Sequence, residues 1–196
     1  MKSLWEKLMN TVQANQQSYG AVAKWLHWGM ALMIIVLILA GIYMTGLDKS
    51  DPSRLQITGM HKSLGVIFMQ LAILRLIWSR ISHPPSLPDV LSGWEKALSQ
   101  IVTVFLYLLM IGTPFSGFAM TNFAGFPVSI FGLIEIPRLF DKNLEMVGMA
   151  KQAHWVLVYT LMSAISLHII GALKHRFIDA PEADVLSRML PIKTRF

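Results

Sequence analysis

The chain contains no cysteine. That removes disulfides, iron–sulfur clusters, thiolate zinc sites and thioether-linked haem from the possible chemistries. Charge is scarce too: 14% of the 196 residues are Asp, Glu, Lys or Arg, against 54% hydrophobic residues and a mean hydropathy of +0.53. A soluble domain carries about a quarter charged residues, so this composition excludes that class and implies an integral membrane protein. Acid is scarcest where it matters, because the apolar segments proper hold no Asp or Glu. There is no low-complexity tract, and no internal repeat beyond a "HW" that opens the first and last apolar segments.

What is present is apolar length. Uncharged runs at 25–47 and 152–173 can each cross a hydrocarbon core of about 30 Å, and a longer run fills 97–134. A fourth segment is shorter. Twelve uncharged residues separate Lys62 from Arg75, enough to span if both long side chains snorkel from a helix of roughly 58 to 79. The first run is too long for a signal-peptide core and no small-residue cleavage pattern follows it, so it reads as a retained helix. The expected fold is an all-α integral membrane protein, a four-helix transmembrane bundle in one domain. Leu4, Trp5, Leu8, Met9 and Val12 recur at helical spacing, which predicts a short interfacial N-terminal helix on the membrane surface, the alternative being a frayed polar tail. Pro84, Pro85 and Pro88 mark one connection. The stretch "TNFAGFPVSIFGLIEIPRLFDKN" is a Gly/Pro-broken loop whose apolar content implies that it packs onto the bundle.

The formal charge is +6, which by itself would admit a nucleic-acid partner. Placement argues against one. Four spans put both termini on one side, and eleven of the seventeen basic residues fall there; the positive-inside rule makes that side cytoplasmic and accounts for the basic balance. Membrane lipid, and no nucleic acid, is the expected surrounding.

The chemistry lies in the histidines. His154 and His168 are fourteen residues apart, almost four helical turns and about 21 Å of rise, so both rings project from nearly one face at different depths. Hydrocarbon offers an imidazole no partner, which makes intramembrane histidines candidates for function; the alternative is a hydrogen bond to another helix. By depth, His27 pairs with His168 on the inner side and His61 with His154 on the outer side. Opposed imidazoles at one level suit a six-coordinate haem with histidine at both axial positions. A zinc or copper transporter is the rival, but it would want three or more ligands at one depth or carboxylates within the membrane. Gly29, Gly65 and Gly171 follow the histidines at helical spacing and offer room for a flat macrocycle, or simple helix packing.

Charged side chains accompany each pair. Arg75 lies fourteen residues after His61, directed toward the inner pair, where it would meet an anionic propionate or merely end a span. His175, between Lys174 and Arg176, is placed for a propionate or a quinone headgroup, or is an ordinary basic residue at the membrane edge. Lys62 and Lys151 flank the outer pair and would attract an anion, or simply snorkel. His83, in "SHPPSLP", is expected to be a solvated loop residue.

At these residues the chain resembles the bacterial cytochrome b561 family. The matching pieces are "WLHW" in the first span, "HKSLG" opening the second with "RL" at Arg75–Leu76, "AHW" opening the fourth and "LHIIGALKHRF" closing it. The resemblance covers roughly residues 19 to 178. It implies two non-covalent b haems ligated by His27, His61, His154 and His168, a third span without a ligand, and electron transfer between the outer face and membrane quinone in the bacterial inner membrane. The corresponding division is an amphipathic cytoplasmic segment 1–18, a dihaem domain 19–178 and a cytoplasmic tail 179–196. Some members of the family look like superoxide oxidases, passing one electron from superoxide to ubiquinone. Superoxide suits an outer-sphere reaction at a haem with both axial positions filled, although the outer side carries six basic against five acidic residues, so any steering rests on local lysines. The alternatives are an electron-transfer subunit for a periplasmic dehydrogenase or hydrogenase, docking through 121–150, and a non-redox helix-bundle adaptor.

Overall fold

The computed structural model describes residues 18–190, so the interfacial helix expected before Ser18 lies outside the described residues. Four long helices follow: α1 (Ala21–Gly46), α2 (Pro52–Ile81), α3 (Gly93–Phe123) and α4 (Leu144–Phe177), with a two-stranded hairpin, β1 (Val128–Ile130) and β2 (Ile134–Ile136), between α3 and α4. Each helix is long and apolar enough to cross a membrane. With 26 to 34 residues apiece, at 1.5 Å per residue, all exceed a core of about 30 Å and project beyond it. The fold is an all-α transmembrane bundle, as expected.

The helix starts are set locally. Asp51 accepts the Ser53 N–H at 2.8 Å and precedes Pro52, the residue best suited to a first helical position. This starts α2 six residues before the expected boundary. At α3 the Ser92 N–H donates to Glu95 Oε2 at 3.0 Å, and the Ser92 hydroxyl donates to the same oxygen at 2.7 Å, a capping box in sequence. Asn143 Oδ1 accepts from the Glu145 and Met146 N–H groups, each at 3.1 Å, and starts α4.

The uncharged run 97–134 is not one helix. It breaks at Gly125, whose φ of +93° only glycine adopts without strain, and Pro127 prevents resumption. The apolar sequence beyond becomes the hairpin, paired Val128↔Ile136, Ser129↔Glu135 and Ile130↔Ile134.

Contacts divide the chain into two compact units, each drawing on all four helices. The second comprises Met30–Ile73 and Leu108–Met162. In it the hairpin is packed down, as its composition implies: Val128 is 1% exposed and lies against Val66 and Phe118. The Ser63 hydroxyl accepts the Phe131 N–H at 2.9 Å, and its one proton is shared between the Gly59 carbonyl at 2.9 Å and the Ser129 carbonyl at 3.1 Å. Asn122, fully buried, accepts the Leu139 N–H at 2.7 Å, and Phe140 stacks on Phe123 with centroids 5.0 Å apart.

The first unit holds the chain up to Gly29, Leu74–Tyr107 and the chain from Ser163 onward. Here the segment after α4 folds back: the Trp28 indole donates to the Met189 carbonyl at 2.9 Å, and Arg176 pairs with Asp184. The clasp is Lys174, whose ammonium lies 2.7 Å from both Glu95 on α3 and Asp179 beyond α4, while His175 Nδ1 meets Asp179 at 2.6 Å. Lys174, and after it His175, hold the Asp179 carboxyl below its ordinary range. A depressed carboxyl contributes stability above its unfolded pKa and loses it as pH falls through the folded value, so the clasp persists down to the ordinary carboxylate range and opens below it. Asp179→Asn should speed amide exchange several-fold at 178–190 near neutral pH while leaving the middle of α4 unchanged; unaltered exchange at 178–190 would deny Asp179 this role.

Candidate functional site

Each unit holds one pair of facing histidines. In the first, His27 of α1 and His168 of α4 have ring centroids 6.2 Å apart with planes at 62°. In the second, His61 of α2 and His154 of α4 are 6.5 Å apart at 84°. These are the two pairs that depth along the sequence predicts. The spacing is informative. A metal between two imidazole nitrogens, about 2 Å from each, with each ring centre about 1 Å further on, sets centroids roughly 6 Å apart. Both separations also lie within the range of edge-to-face ring contact, so they leave room for a metal without by themselves requiring one.

The outer nitrogens of the rings decide which atoms are left to coordinate. At His154, Nδ1 lies 3.0 Å from the Thr113 carbonyl and 2.9 Å from the Ser116 hydroxyl. The Ser116 hydroxyl itself donates to the Thr113 carbonyl at 2.6 Å. A carbonyl only accepts, so Nδ1 carries the proton and Nε2 keeps the lone pair, the arrangement that orients a metal-bound histidine and raises its basicity. His61 faces the Leu37 backbone of α1, but its buried Nδ1 makes no close hydrogen bond among the described residues.

His27 differs. Its Nδ1 lies 2.9 Å from Arg75 Nη2, and a guanidinium only donates, so this nitrogen accepts and the proton of the neutral ring sits on Nε2. Coordination through Nε2 therefore requires Arg75 to release the ring. The other contact of Arg75 is the Tyr107 ring, 5.7 Å from the guanidinium carbon, and it has no carboxylate partner among the described residues. Beside it lies a cavity of about 30 Å³ lined by Tyr19, Arg75, Trp78, Ser82 and Tyr107. The Trp78 indole N–H is buried without a partner. This is space for a water or the oxygen of an anion.

Glycines complete the fit. A Cβ on Gly117 of α3 would lie 3.3 Å from His154 Cε1, and one on Gly41 of α1 would lie 3.5 Å from His61 Cε1. Neither was singled out from the sequence, although Gly41 stands fourteen residues after His27, the spacing that relates His154 to His168. Gly29 and Gly171 have open space where a Cβ would be, and Gly65 faces Pro114 at 4.0 Å, so none of these three touches a histidine. α4 buries Leu161 and Ala164, and His168 is exposed, which leaves the histidine-bearing helix room for a broad planar group. Ring centroids at a separation that admits a metal, glycines against two of the rings and an arginine without a carboxylate partner among the described residues together fit a haem.

The remaining candidates fall elsewhere. His175 is not at a histidine pair: it is bonded to Asp179. Glu95, His175 and Asp179 bring ligand atoms within 4.8 Å of one another, but the Lys174 ammonium bridges both carboxylates and supplies the charge a cation would bring. Lys62 is half-buried beside His61 and Lys151 is exposed one turn before His154. His83 is exposed in its loop, as expected.

With this geometry in view, comparison with known proteins gives the family. Residues 18–191 match the prokaryotic cytochrome b561 family, and the chain belongs to it: it is a membrane b-type cytochrome for electron transfer. It is similar to cytochrome b561 homolog 2 of Escherichia coli (strain K12), with 28% identity over 174 residues, 89% of this chain and 92% of that protein. Family and helices together indicate a multi-pass inner-membrane protein.

The glycine contacts generate a graded expectation. Gly117→Ala forces the His154 ring to give by a few tenths of an ångström and should lower haem content per purified chain, whereas Gly41→Ala makes ordinary contact and should not. Equal haem content in both variants and wild type would dissociate Gly117 from the site.

Proposed function

We propose that this chain holds two b haems, one between His27 and His168 and one between His61 and His154, and that it passes electrons from superoxide on the periplasmic side to ubiquinone. The observation that carries the reading is the repetition of one ring separation, 6.2 and 6.5 Å, at two histidine pairs. When bound, a b haem supplies reversible one-electron chemistry. The protein's part is positioning and charge. His27 and His168, and His61 and His154, would hold the haems through ring nitrogens, and electron exchange with a substrate would then be outer-sphere. Ser116 and the Thr113 carbonyl hold His154 in the coordinating tautomer. Arg75 neutralises a propionate carboxylate, for which its lack of an acidic partner leaves it free.

Both termini are placed in the cytoplasm in this reading, which puts His61 and His154 toward the periplasm. Lys62 and Lys151 raise the local concentration of an anion there. Two superoxide ions give up one electron each and become dioxygen; one ubiquinone takes both electrons and two protons. His175, its Nδ1–H committed to the Asp179 carboxylate, keeps the Nε2 lone pair to accept from the hydroxyl of a quinol headgroup, with Arg75 at the same end of the chain's electron path.

Haem extracted from detergent-purified protein and quantified against chain should come to two per chain, with a reduced-minus-oxidised spectrum of b type. One per chain would leave a histidine pair without this role, and none would return the bundle to a non-redox one. The initial rate of haem reduction by superoxide should fall as ionic strength rises and drop several-fold in the Lys62→Gln/Lys151→Gln double variant. Rates indifferent to both would exclude superoxide steered by these lysines and favour a periplasmic protein donor.

A further inference from the structure

We infer that the β1–β2 hairpin is a lipid anchor, its tip residues Phe131, Leu133 and Ile134 seated in the bilayer at the boundary where α2 begins and α3 ends. This does not rest on the haem assignment.

The level follows from what the hairpin touches. On α2 the polar residues Arg54, Gln56, Thr58, His61, Lys62 and Ser63 crowd the first twelve positions, and from Leu64 to Leu74 no charged residue occurs. The hairpin is tied to Ser63, the last of that polar group, and Val128 packs on Val66, in the first turn of the apolar part. On α3 it meets Phe118, five residues and about 7.5 Å from the helix end. Both contacts put the strands at the edge of the hydrocarbon and not out in water.

The tip is built for such a place. Phe131, Leu133 and Ile134 are 50%, 86% and 62% exposed, and no charged residue falls between Phe126 and Ile134. On the other face of the ladder Ser129 and Glu135 are paired and exposed, so the hairpin has a wet side and an apolar side and end, the division an interfacial element needs. Phe131 has a φ of +50°, a left-handed backbone at a turn position usually given to Gly or Asn. The sequence thus accepts strain to keep a large apolar ring at the tip. Polar backbone is cared for as well: the ladder pairs most of it, the Leu133 N–H closes the turn on the Ile130 carbonyl at 3.0 Å, the Ser63 oxygen accepts the Phe131 N–H, and its proton is shared between the Ser129 and Gly59 carbonyls. Such satisfaction is what a non-helical segment needs in order to approach lipid.

Lipid is the occupant because this surface continues the membrane-facing side of the bundle. Phe115 of α3, 45% exposed on a spanning helix, meets Phe140 of the same connection edge to face at 6.4 Å.

The absence of native cysteine makes the test clean. Full-length Leu133→Cys and Ile134→Cys, each labelled with a bimane fluorophore, would be reconstituted in phosphatidylethanolamine/phosphatidylglycerol vesicles. Leu39→Cys on α1 serves as the lipid reference and Lys49→Cys, in the α1–α2 connection, as the aqueous one. Bromolipid should quench 133 and 134 at least half as strongly as 39, and aqueous iodide should quench them several-fold less than 49. Quenching by iodide equal to that at 49, with none by bromolipid, would overturn the proposal and leave the tip in water as a surface for a protein partner. Leu133 is 86% exposed, so its substitution does not disturb packing.

Discussion

A polar group within a bilayer has only the protein to satisfy it, and each irregular feature of this bundle answers to that constraint. The Ser63 hydroxyl accepts the Phe131 N–H of the hairpin and shares its proton between the Gly59 and Ser129 carbonyls. Asn122 likewise accepts the Leu139 N–H while fully buried. The Thr113 carbonyl, four residues before Gly117 and beside Pro114, takes the Ser116 hydroxyl and the His154 ring. What is left unsatisfied is correspondingly conspicuous. His61 Nδ1 and the Trp78 indole have no partner among the described residues, and Arg75 has no acid. Two of these three lie at or beside a histidine pair and the third lines the cavity next to Arg75. Thr113 Oγ1 and Asn122 Nδ2 are also buried without a partner among the described residues, the second beneath the α3–α4 connection, so unmet polar capacity is not confined to the histidine pairs.

The histidine pairs were legible because a transmembrane helix converts residue number into depth at 1.5 Å per residue. Four ligand candidates on three helices admit few pairings once depth is known, and a fourteen-residue interval keeps the two rings of α4 on one face. Direction around the helix axis is less legible. Gly29, Gly65 and Gly171 share helical spacing with histidines on their own helices, yet the glycines that approach the rings, Gly41 and Gly117, belong to neighbouring helices. Spacing along one helix says what shares its face; it does not say what stands opposite. Ser116 and Thr113 were missed for the same reason, since a hydroxyl and a carbonyl on α3 carry no mark in sequence of the ring on α4 they will meet. The hairpin was hidden differently. Its residues continue the uncharged run of α3 without a change in hydropathy, and only Gly125 and Pro127 announce the break.

The two pairs are chemically unlike, and the difference bears on how each would be filled. At His154 the backbone has already chosen the coordinating tautomer, so the ring is prepared. At His27 Arg75 imposes the opposite one. In the proposed reading a propionate would compete for Arg75, because a guanidinium bonds a carboxylate more strongly than a neutral imidazole, and the His27 ring would then be able to change tautomer. Arg75, which meets the His27 ring here, would in that reading serve a buried anion. A lysine would serve less well, since its single ammonium lacks the planar fork that pairs with a carboxylate through two parallel bonds. The same argument explains why a cation is tolerated so near an imidazole that must remain neutral to coordinate: the charge is there for a partner that the protein's own acids do not provide.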